Sequence, residues 1–374
     1  MNYIGFIKET PMIKVLQVIR SLGYDGISNF VMDYYRHIDR SQFDFHFTSS
    51  SREPDPLDAE ILSLGGTIHK LPSRNRKPVD YMRELYRLLK REHFDIVHIE
   101  QNSASMAMDA FVCRLCGVRV IIGHSHNTSC NALWQHHLFK PFVNFLVTHR
   151  FACSEEAGKW VFGNNPHVTI VRNAIDATKY YYNEAQRAEI RKGLAVEGKM
   201  VVGFVGRLEA QKNLFRCIDI FQLLHQKHND SVLLLVGDGT QKKSLQHYAA
   251  EKGLSESCIF TGRRQDVNHL LQAMDIFLLP SLYEGLGIVC IEAQAADLPC
   301  IVSTNVPAPN IIGKCRYVSL DCSDEEWAEA VLSMQSDTRK NQSEAFAHSG
   351  YEIHNEAHVL AEYYLSFVGK NGKP

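Results

Sequence analysis

Four short stretches of this 374-residue chain gather residues able to do chemistry. The first is G-R-L-E-A-Q-K-N, residues 206–213. Arg207 and Lys212 stand there between an apolar run and an amphipathic one. Two cations at a strand end, ahead of a helix with its positive dipole end, suit a diphosphate. Two solvated surface cations are the plain alternative. The second is P-S-L-Y-E-G-L-G-I-V-C-I-E-A, residues 280–293. Seven residues separate Glu284 from Glu292, and Gly285 and Gly287 free the backbone before a helix. Eight residues of helix rise about 12 Å, so the two carboxylates suit two parts of one elongated ligand. A carboxylate accepts from vicinal hydroxyls, and a Glu following the apolar run Val289–Ile291 calls for a partner.

The third stretch is G-H-S-H-N-T, residues 123–128. His124 and His126 alternate at a strand end and suit hydrogen bonding or proton handling by a neutral imidazole. Zinc is the alternative there, but the helical H-x-x-x-H arrangement and a clear third ligand are missing. The fourth, S-L-G-Y-D-G-I-S-N at 21–29, has Gly23 and Gly26 for a tight turn that lets a ligand approach backbone N–H groups. It is not G-x-G-x-x-G, so a dinucleotide reading has little support.

The elements that must hold these stretches alternate between apolar runs and amphipathic ones. Strands are predicted at Ile13–Ile19, Phe43–Thr48, Thr67–Leu71, Ile96–Ile99 and Arg119–His124. Helices are predicted between them at Ser28–Ile38, Pro56–Leu64, Asp80–Glu92 and Ala104–Cys116. After a polar interval, Asp176–Gly198, with a short helix expected at Asn183–Lys192, the rhythm restarts with strands at Met200–Val205, Ser231–Val236, Cys258–Thr261, Ile276–Pro280 and Pro299–Ser303. The intervening helices are Leu214–His228, Gln241–Lys252, Val267–Met274 and Gly287–Ala296. The rhythm is that of an α/β chain with two doubly wound parallel sheets, whose ligands bind beyond the carboxyl ends of strands. The expected domains are 12–178 and 199–345, with a terminal helix in 346–374 packing back toward the first.

Composition narrows the classes. The charged fraction is 22% and the formal net charge −2, so no global basic field attracts nucleic acid. No apolar run reaches the roughly 18 residues of a membrane span. Met1–Pro11 lack a signal peptide's apolar core, and Met12 is a candidate start. Ten scattered cysteines include one C-x-x-C pair, Cys113 and Cys116, in an apolar stretch. Buried free thiols in a cytoplasmic protein are the expectation.

Taken together, these stretches resemble the retaining glycosyltransferases of the GT-B fold, group 1 (family 4), over essentially the whole chain. The E-x7-E pair Glu284–Glu292 carries the resemblance most specifically, and the Arg207–Lys212 segment is the second marker. L-V-G-D-G at 235–239, F-T-G-R-R-Q-D-V at 260–267 and N-A-I-D at 173–176 follow in the expected order. G-H-S-H-N and A-C-S-E-E-A-G-K-W-V-F-G (152–163) are similar to members that build bacterial capsule and exopolysaccharide. The resemblance implies two Rossmann-like domains facing an inter-domain cleft. It implies that Arg207 and Lys212 bind the donor's diphosphate and that Glu292 holds the ribose hydroxyls. Glu284 would contact the donor sugar, with Gly285, Leu286 and Gly287 alongside. Gly26 would cover the diphosphate from the first domain, Arg263 would lie near the base, and Asp238 and Gly239 are further candidates. The family's first-domain histidine matches His126, with His124 two residues away as the alternative. Asp25 departs from the usual glycine pair at Gly26.

The implied activity is transfer of a hexosyl unit from a nucleotide sugar, UDP-linked, to a saccharide or lipid-linked acceptor. No D-x-D triplet occurs, so neither a metal nor another cofactor is expected. A basic surface at Arg74, Arg76, Lys77, Arg83, Arg87, Lys90 and Arg91 would meet anionic lipid at the inner face of the plasma membrane. Trp134, Phe139, Phe142 and Phe145 are a second candidate, which helical core packing explains equally well. The competing readings are a nucleotide-sugar epimerase or hydrolase on the same fold, and a non-catalytic nucleotide-sugar sensor.

Overall fold

Strands buried on both faces read as nearly continuous apolar runs, and M-V-V-G-F-V, S-V-L-L-L-V and I-F-L-L are of that kind. They belong to the second of two sheets in a computed structural model that describes residues 12–371 apart from 24, 52, 131, 336 and 337. The expectations for Met1–Pro11 and for the start at Met12 fall on or beside residues outside that set. The chain divides into two units, one running to Ala174 and resuming at Ile353, the other Ile175–Glu352.

The first unit holds β1 (Ile13–Val18), β2 (Phe43–Ser49), β3 (Thr67–Lys70), β4 (Ile96–Gln101), β5 (Val120–Ser125), β6 (His149–Ala152) and β7 (Thr169–Ile170). Their spatial order is β3-β2-β1-β4-β5-β6-β7, with every pair parallel. The order reverses between β1 and β4. Gln17 lies opposite His98, and Glu100 opposite His124. Register partners share a face, so these polar residues line up across the sheet. Two helices cover that face, Gly26–His37 and the terminal Ile353–Asn371. Phe30, Val31 and Tyr34 from the one join Ile353, Ala357, Leu360 and Tyr364 from the other in a single apolar cluster.

The second unit holds β8 (Met200–Val205), β9 (Ser231–Val236), β10 (Cys258–Gly262), β11 (Ile276–Leu279), β12 (Cys300–Ser303) and β13 (Cys315–Val318). The order is β10-β9-β8-β11-β12-β13, again all parallel, and it reverses between β8 and β11. The polar interval holds the helix expected at Asn183–Lys192, as Glu184–Gly193. Its Glu184–Gly193 helix lies in the second unit, where Arg187 and Arg191 reach Asp275 at 2.5 and 3.1 Å. Its charges are spent on the Met274–Asp275 turn, so the boundary falls at 174/175 rather than at 178 and 199. Residues 346–352 likewise stay with the second unit, and the terminal helix begins at Ile353.

All ten cysteines are free. Cys113 is buried as expected, and burial pushes its thiol up. Cys116 is not: it lies at the end of its helix, only partly covered. Within β8, Gly203 admits the Met274 side chain so closely that an added Cβ would sit 2.0 Å from its Sδ. Gly203→Ala is therefore expected to destabilise the second unit by about 1–3 kcal/mol through overpacking. A urea midpoint equal to that of the parent protein would contradict this.

Candidate active site

The residues singled out in the second unit lie where its strand order reverses. The loop after β8 carries Arg207, Glu209 and Lys212, and the loop after the adjacent β11 carries Glu284 to Gly287. In α/β sheets such a reversal opens a crevice at the carboxyl ends of the strands. The two loops are laced together. Leu282 N–H donates to the Gln211 carbonyl (2.8 Å), and Gln211 Nε2 donates to the Tyr283 carbonyl (2.7 Å). Lys212 Nζ donates to Glu284 Oε1, which also accepts from Ser281 Oγ at 2.7 Å. The Lys212 and Glu284 side chains are 14% and 10% exposed, so this pair is screened less than a surface one.

Glu284 therefore precedes the helix, which spans Ile288–Ala295, and only Glu292 is helical. Gly287 caps that helix at φ +70, and a Cβ there would meet Val306 Cγ1 at 2.9 Å. Gly285 is exposed with open space around it, and Leu286 is half-buried. Glu292 Oε1 accepts from the Tyr180 phenol at 2.9 Å. Tyr180, from the polar interval, had no signal in the sequence.

Arg207 and Arg263 are exposed, and neither side chain hydrogen-bonds or pairs among the described residues. Asp238 and Gly239 stand in the loop after β9 rather than at a strand end. Asp238 Oδ1 accepts from Gly239 N–H (2.9 Å), and its carbonyl accepts from Leu208 N–H (3.0 Å). A Cβ on Gly239 would lie 2.5 Å from the Leu208 carbonyl oxygen, and one on Gly237 1.8 Å from that of Gly206. The V-G-D-G glycines thus let the two loops touch and set the path of Arg207.

In the first unit, Asp25 takes the place expected of a ligand. Its Oδ1 accepts from the N–H groups of Ile27 and Ser28 at 3.0 and 3.1 Å, capping the helix that Gly26 begins. Gly26 has open space around it, but the N–H groups beyond it already have a carboxylate.

The two histidines converge on Glu100. His126 Nε2 lies 2.5 Å from Glu100 Oε2, His124 Nδ1 3.1 Å from the same oxygen, and His98 Nε2 3.3 Å from Oε1. His98 Nδ1 meets the Tyr364 phenol at 2.7 Å, which also accepts from Gln17 Nε2 at 3.1 Å. His98, Glu100 and His124 are buried, and His126, just past the end of β5, keeps 4% side-chain exposure. Ligand atoms of His98, Glu100 and His124 lie within 4.8 Å of one another. That spacing equally serves the hydrogen bonds described. The alternation H-I-E in β4 opposite H-S-H in β5 was a signal for this cluster, and reading His124 and His126 alone missed it.

Family models match both halves of the chain: "Glycosyl transferases group 1" over residues 186–352 and "Glycosyltransferase Family 4" over 24–179. The chain is a group 1 glycosyltransferase. It is 29% identical over 370 residues to the putative glycosyltransferase EpsF of Bacillus subtilis, covering 94% of this chain and 96% of that one. It is 26% identical to the UDP-Gal:alpha-D-GlcNAc-diphosphoundecaprenol alpha-1,3-galactosyltransferase of Escherichia coli, over 82% of each chain. The capsular polysaccharide biosynthesis glycosyltransferase CapH of Staphylococcus aureus is 25% identical, over 95% of this chain and 99% of its own. Among solved structures, Alr3699/HepE of Anabaena in complex with UDP superposes with a TM-score of 0.79 at 17% identity, covering 95% of this chain and all of its own. The two parallel Rossmann-like units of this glycosyltransferase are thus those of the GT-B fold.

Burial shifts the titration of the first unit's polar row. It pushes the His124 imidazole down to about 3, with the neighbouring His126 acting in the same direction, and it lowers His98 as well. Burial would raise the Glu100 carboxyl, but the three histidines around it hold it well below the usual range. Below about pH 6.5 the unfolded chain protonates His98 and His124 and the folded one does not, so stability falls as pH falls from 6.5 toward 3. Below about 4.5, Glu100 adds to the loss. We expect the unfolding free energy from urea titrations to decline through this window by roughly 1.4 kcal/mol per pH unit for each histidine held neutral. A flat profile between pH 6.5 and 4.5 would show that the cluster does not exclude protons.

Proposed function

We propose that the protein is a retaining transferase that moves a hexosyl unit from a UDP-linked sugar to a lipid-linked saccharide in cell-surface polysaccharide assembly. The observation that carries this reading is the placement of Arg207, Lys212, Glu284 and Glu292 on two laced loops and a helix at the β8/β11 reversal. The relatives support it: one is named for a UDP-galactose donor and a diphosphoundecaprenol acceptor, another for capsular polysaccharide biosynthesis.

In this reading Arg207 and Lys212 hold the diphosphate, and Glu292, steadied by Tyr180, accepts from the ribose hydroxyls. Cleaving the sugar–phosphate bond builds positive charge on the sugar and negative charge on the leaving diphosphate. Fixed cations stabilise that charge without a metal. Lys212 is already paired with Glu284, so an arriving phosphate draws Lys212 away and frees a Glu284 oxygen for a sugar hydroxyl. Backbone N–H groups of Gly285 to Gly287 lie beside it, and Arg263 flanks the base. The acceptor attacks on the face the leaving group departs from, and the leaving phosphate takes its proton. No protein nucleophile is needed. His126, in the first unit, meets the substrate's hydroxyls.

The test is a panel of UDP-, GDP- and ADP-sugars with lipid-linked saccharide acceptors in excess chelator, read by mass spectrometry. Transfer from a UDP-sugar is expected. Loss of transfer on chelation, restored by a divalent ion, would contradict the metal-free part of the reading. Donor cleavage or isomerisation that ignores every acceptor would favour a hydrolase or epimerase, and binding without turnover a sensor. Glu292→Ala is expected to weaken UDP-sugar binding by about 1.5–3 kcal/mol; unchanged calorimetric affinity would remove Glu292 from the site.

We also propose that the first unit docks on an anionic bilayer. No helix among the described residues is long and apolar enough to cross one. In the Leu133–Leu146 helix, Phe139 packs inward, but Trp134, Leu138, Phe142 and Phe145 share an outward face. Trp134 is 67% exposed, Phe142 55% and Phe145 81%. The Met106–Cys116 helix packed beside it adds exposed Phe111 and Leu115, and the next, Pro78–Glu92, brings Lys90 together with Arg83, Arg87 and Arg91, whose partners Asp80, Glu84 and Glu92 share the same helix. Arg74 is not part of this surface, because it pairs with buried Asp109 at 2.6 Å. Exposed aromatic residues with a basic flank suit the headgroup boundary of an anionic membrane. Trp134→Ser with Phe145→Ser should lower sedimentation with phosphatidylglycerol vesicles by roughly tenfold or more. Equal binding by the variant would rule out this face.

A further inference from the structure

A carboxylate buried in an apolar core is costly unless it is paired and hydrogen-bonded. Glu100 is 1% exposed in its side chain, and among the described residues no Lys or Arg comes within ion-pair reach of it. Its only charge-stabilising neighbours are the imidazoles of His98, His124 and His126. We propose that Glu100 is a positioning residue for His126: it takes the proton-bearing Nε2 and leaves Nδ1 as a free acceptor for a substrate hydroxyl. The proposal rests on the reading above in which His126 meets the substrate.

Three observations carry it. An ionised carboxylate only accepts hydrogen bonds, so the 2.5 Å contact makes Nε2 the nitrogen that bears hydrogen. The ring is then held in place. The Phe30 ring stands edge-on to it with centroids 4.7 Å apart, and the His124 ring lies 4.1 Å away on another side. Finally, His126 Nδ1 is buried and has no hydrogen-bond partner among the described residues. A buried polar atom left so is the exception in folded proteins, and it points to a missing partner.

Glu100 is held in turn by the rest of the row. His124 Nδ1 shares its Oε2, His98 Nε2 meets His124 Nδ1 at 3.2 Å and lies 3.3 Å from Oε1, which has no hydrogen-bond partner among the described residues, and Tyr364 and Gln17 close the chain behind His98. Among the described residues the carboxylate has no alternative cation to turn toward, so its orientation, and with it the His126 tautomer, is set before substrate arrives.

A double-mutant cycle tests this in the full chain, with kcat and KM measured on the best donor and acceptor. Glu100→Gln is expected to lower kcat roughly tenfold with a smaller change in KM. It should add no further loss in a His126→Ala background. The same additional factor in both backgrounds would show that Glu100 does not act through His126, and would overturn the proposal. Full turnover by His126→Ala would instead remove the reading on which it rests. The parent protein provides a measurement that does not depend on a variant folding. In histidine-labelled protein, nitrogen NMR with His126 assigned by its absence in His126→Ala should show Nε2 protonated and Nδ1 bare. A proton on Nδ1 overturns the proposal. So does one equivalent of tightly bound zinc, because a metal rather than a proton would then orient the row.

Discussion

Parallel strands cannot be joined by a hairpin. Each must leave the sheet, cross over and return, and every carboxyl end then opens at the same edge. Both units of this glycosyltransferase are built wholly on that constraint. It explains why the residues proposed for chemistry come from loops far apart in sequence. The loops after β8 and β11 are separated by some seventy residues, yet the strands are neighbours because the order reverses between them. Glycines at 206, 237 and 239 complete the arrangement by letting the loops after β8 and β9 press backbone to backbone.

The second unit was the more legible in sequence, for physical reasons. Its strands are continuous apolar runs and its helices are amphipathic, so the two periods separate cleanly. The E-x7-E and G-R-L…K-N segments follow strands, where charge has no packing role to play. The short strands β6, β7 and β13 passed unread because they are two to four residues long and mix polar with apolar residues. In the polar interval the expected helix is present, but what it packs on was not legible. Arginines usually mark a solvated connector, but Arg187 and Arg191 are spent on Asp275 and neighbouring carbonyls. Composition reports how many charges a segment has and is silent on whether a partner waits for them. Arg74, paired with buried Asp109, is the same lesson on a predicted basic surface.

The first unit hid its most consequential group in plain view. His98 and Glu100 sit in I-V-H-I-E-Q, where they alternate with apolar residues, and polar residues so placed are easily taken for an exposed face. Only the register, which sets Glu100 beside His124 and His98 beside Gln17, turns them into a row. Such a row opposes folding through desolvation, and the apolar cluster of Phe30, Tyr34 and the terminal helix around it must more than offset that. Asp25 is a second case where local chemistry overrides a motif. A carboxylate at a helix start satisfies the N–H groups that a phosphate would otherwise find.

The terminal helix has one more consequence. The chain leaves the first unit at Ala174 and re-enters it at Ile353, so the second unit is in effect an insertion within the first. Ile353, Ala357, Leu360 and Tyr364 line the core of the first unit. During synthesis, then, the sheet of the first unit has only the Gly26–His37 helix on the face those residues cover until the helix beginning at Ile353 has been made. The second unit has no such debt and can fold as soon as Glu352 is clear. A nascent chain of this kind completes its later half first.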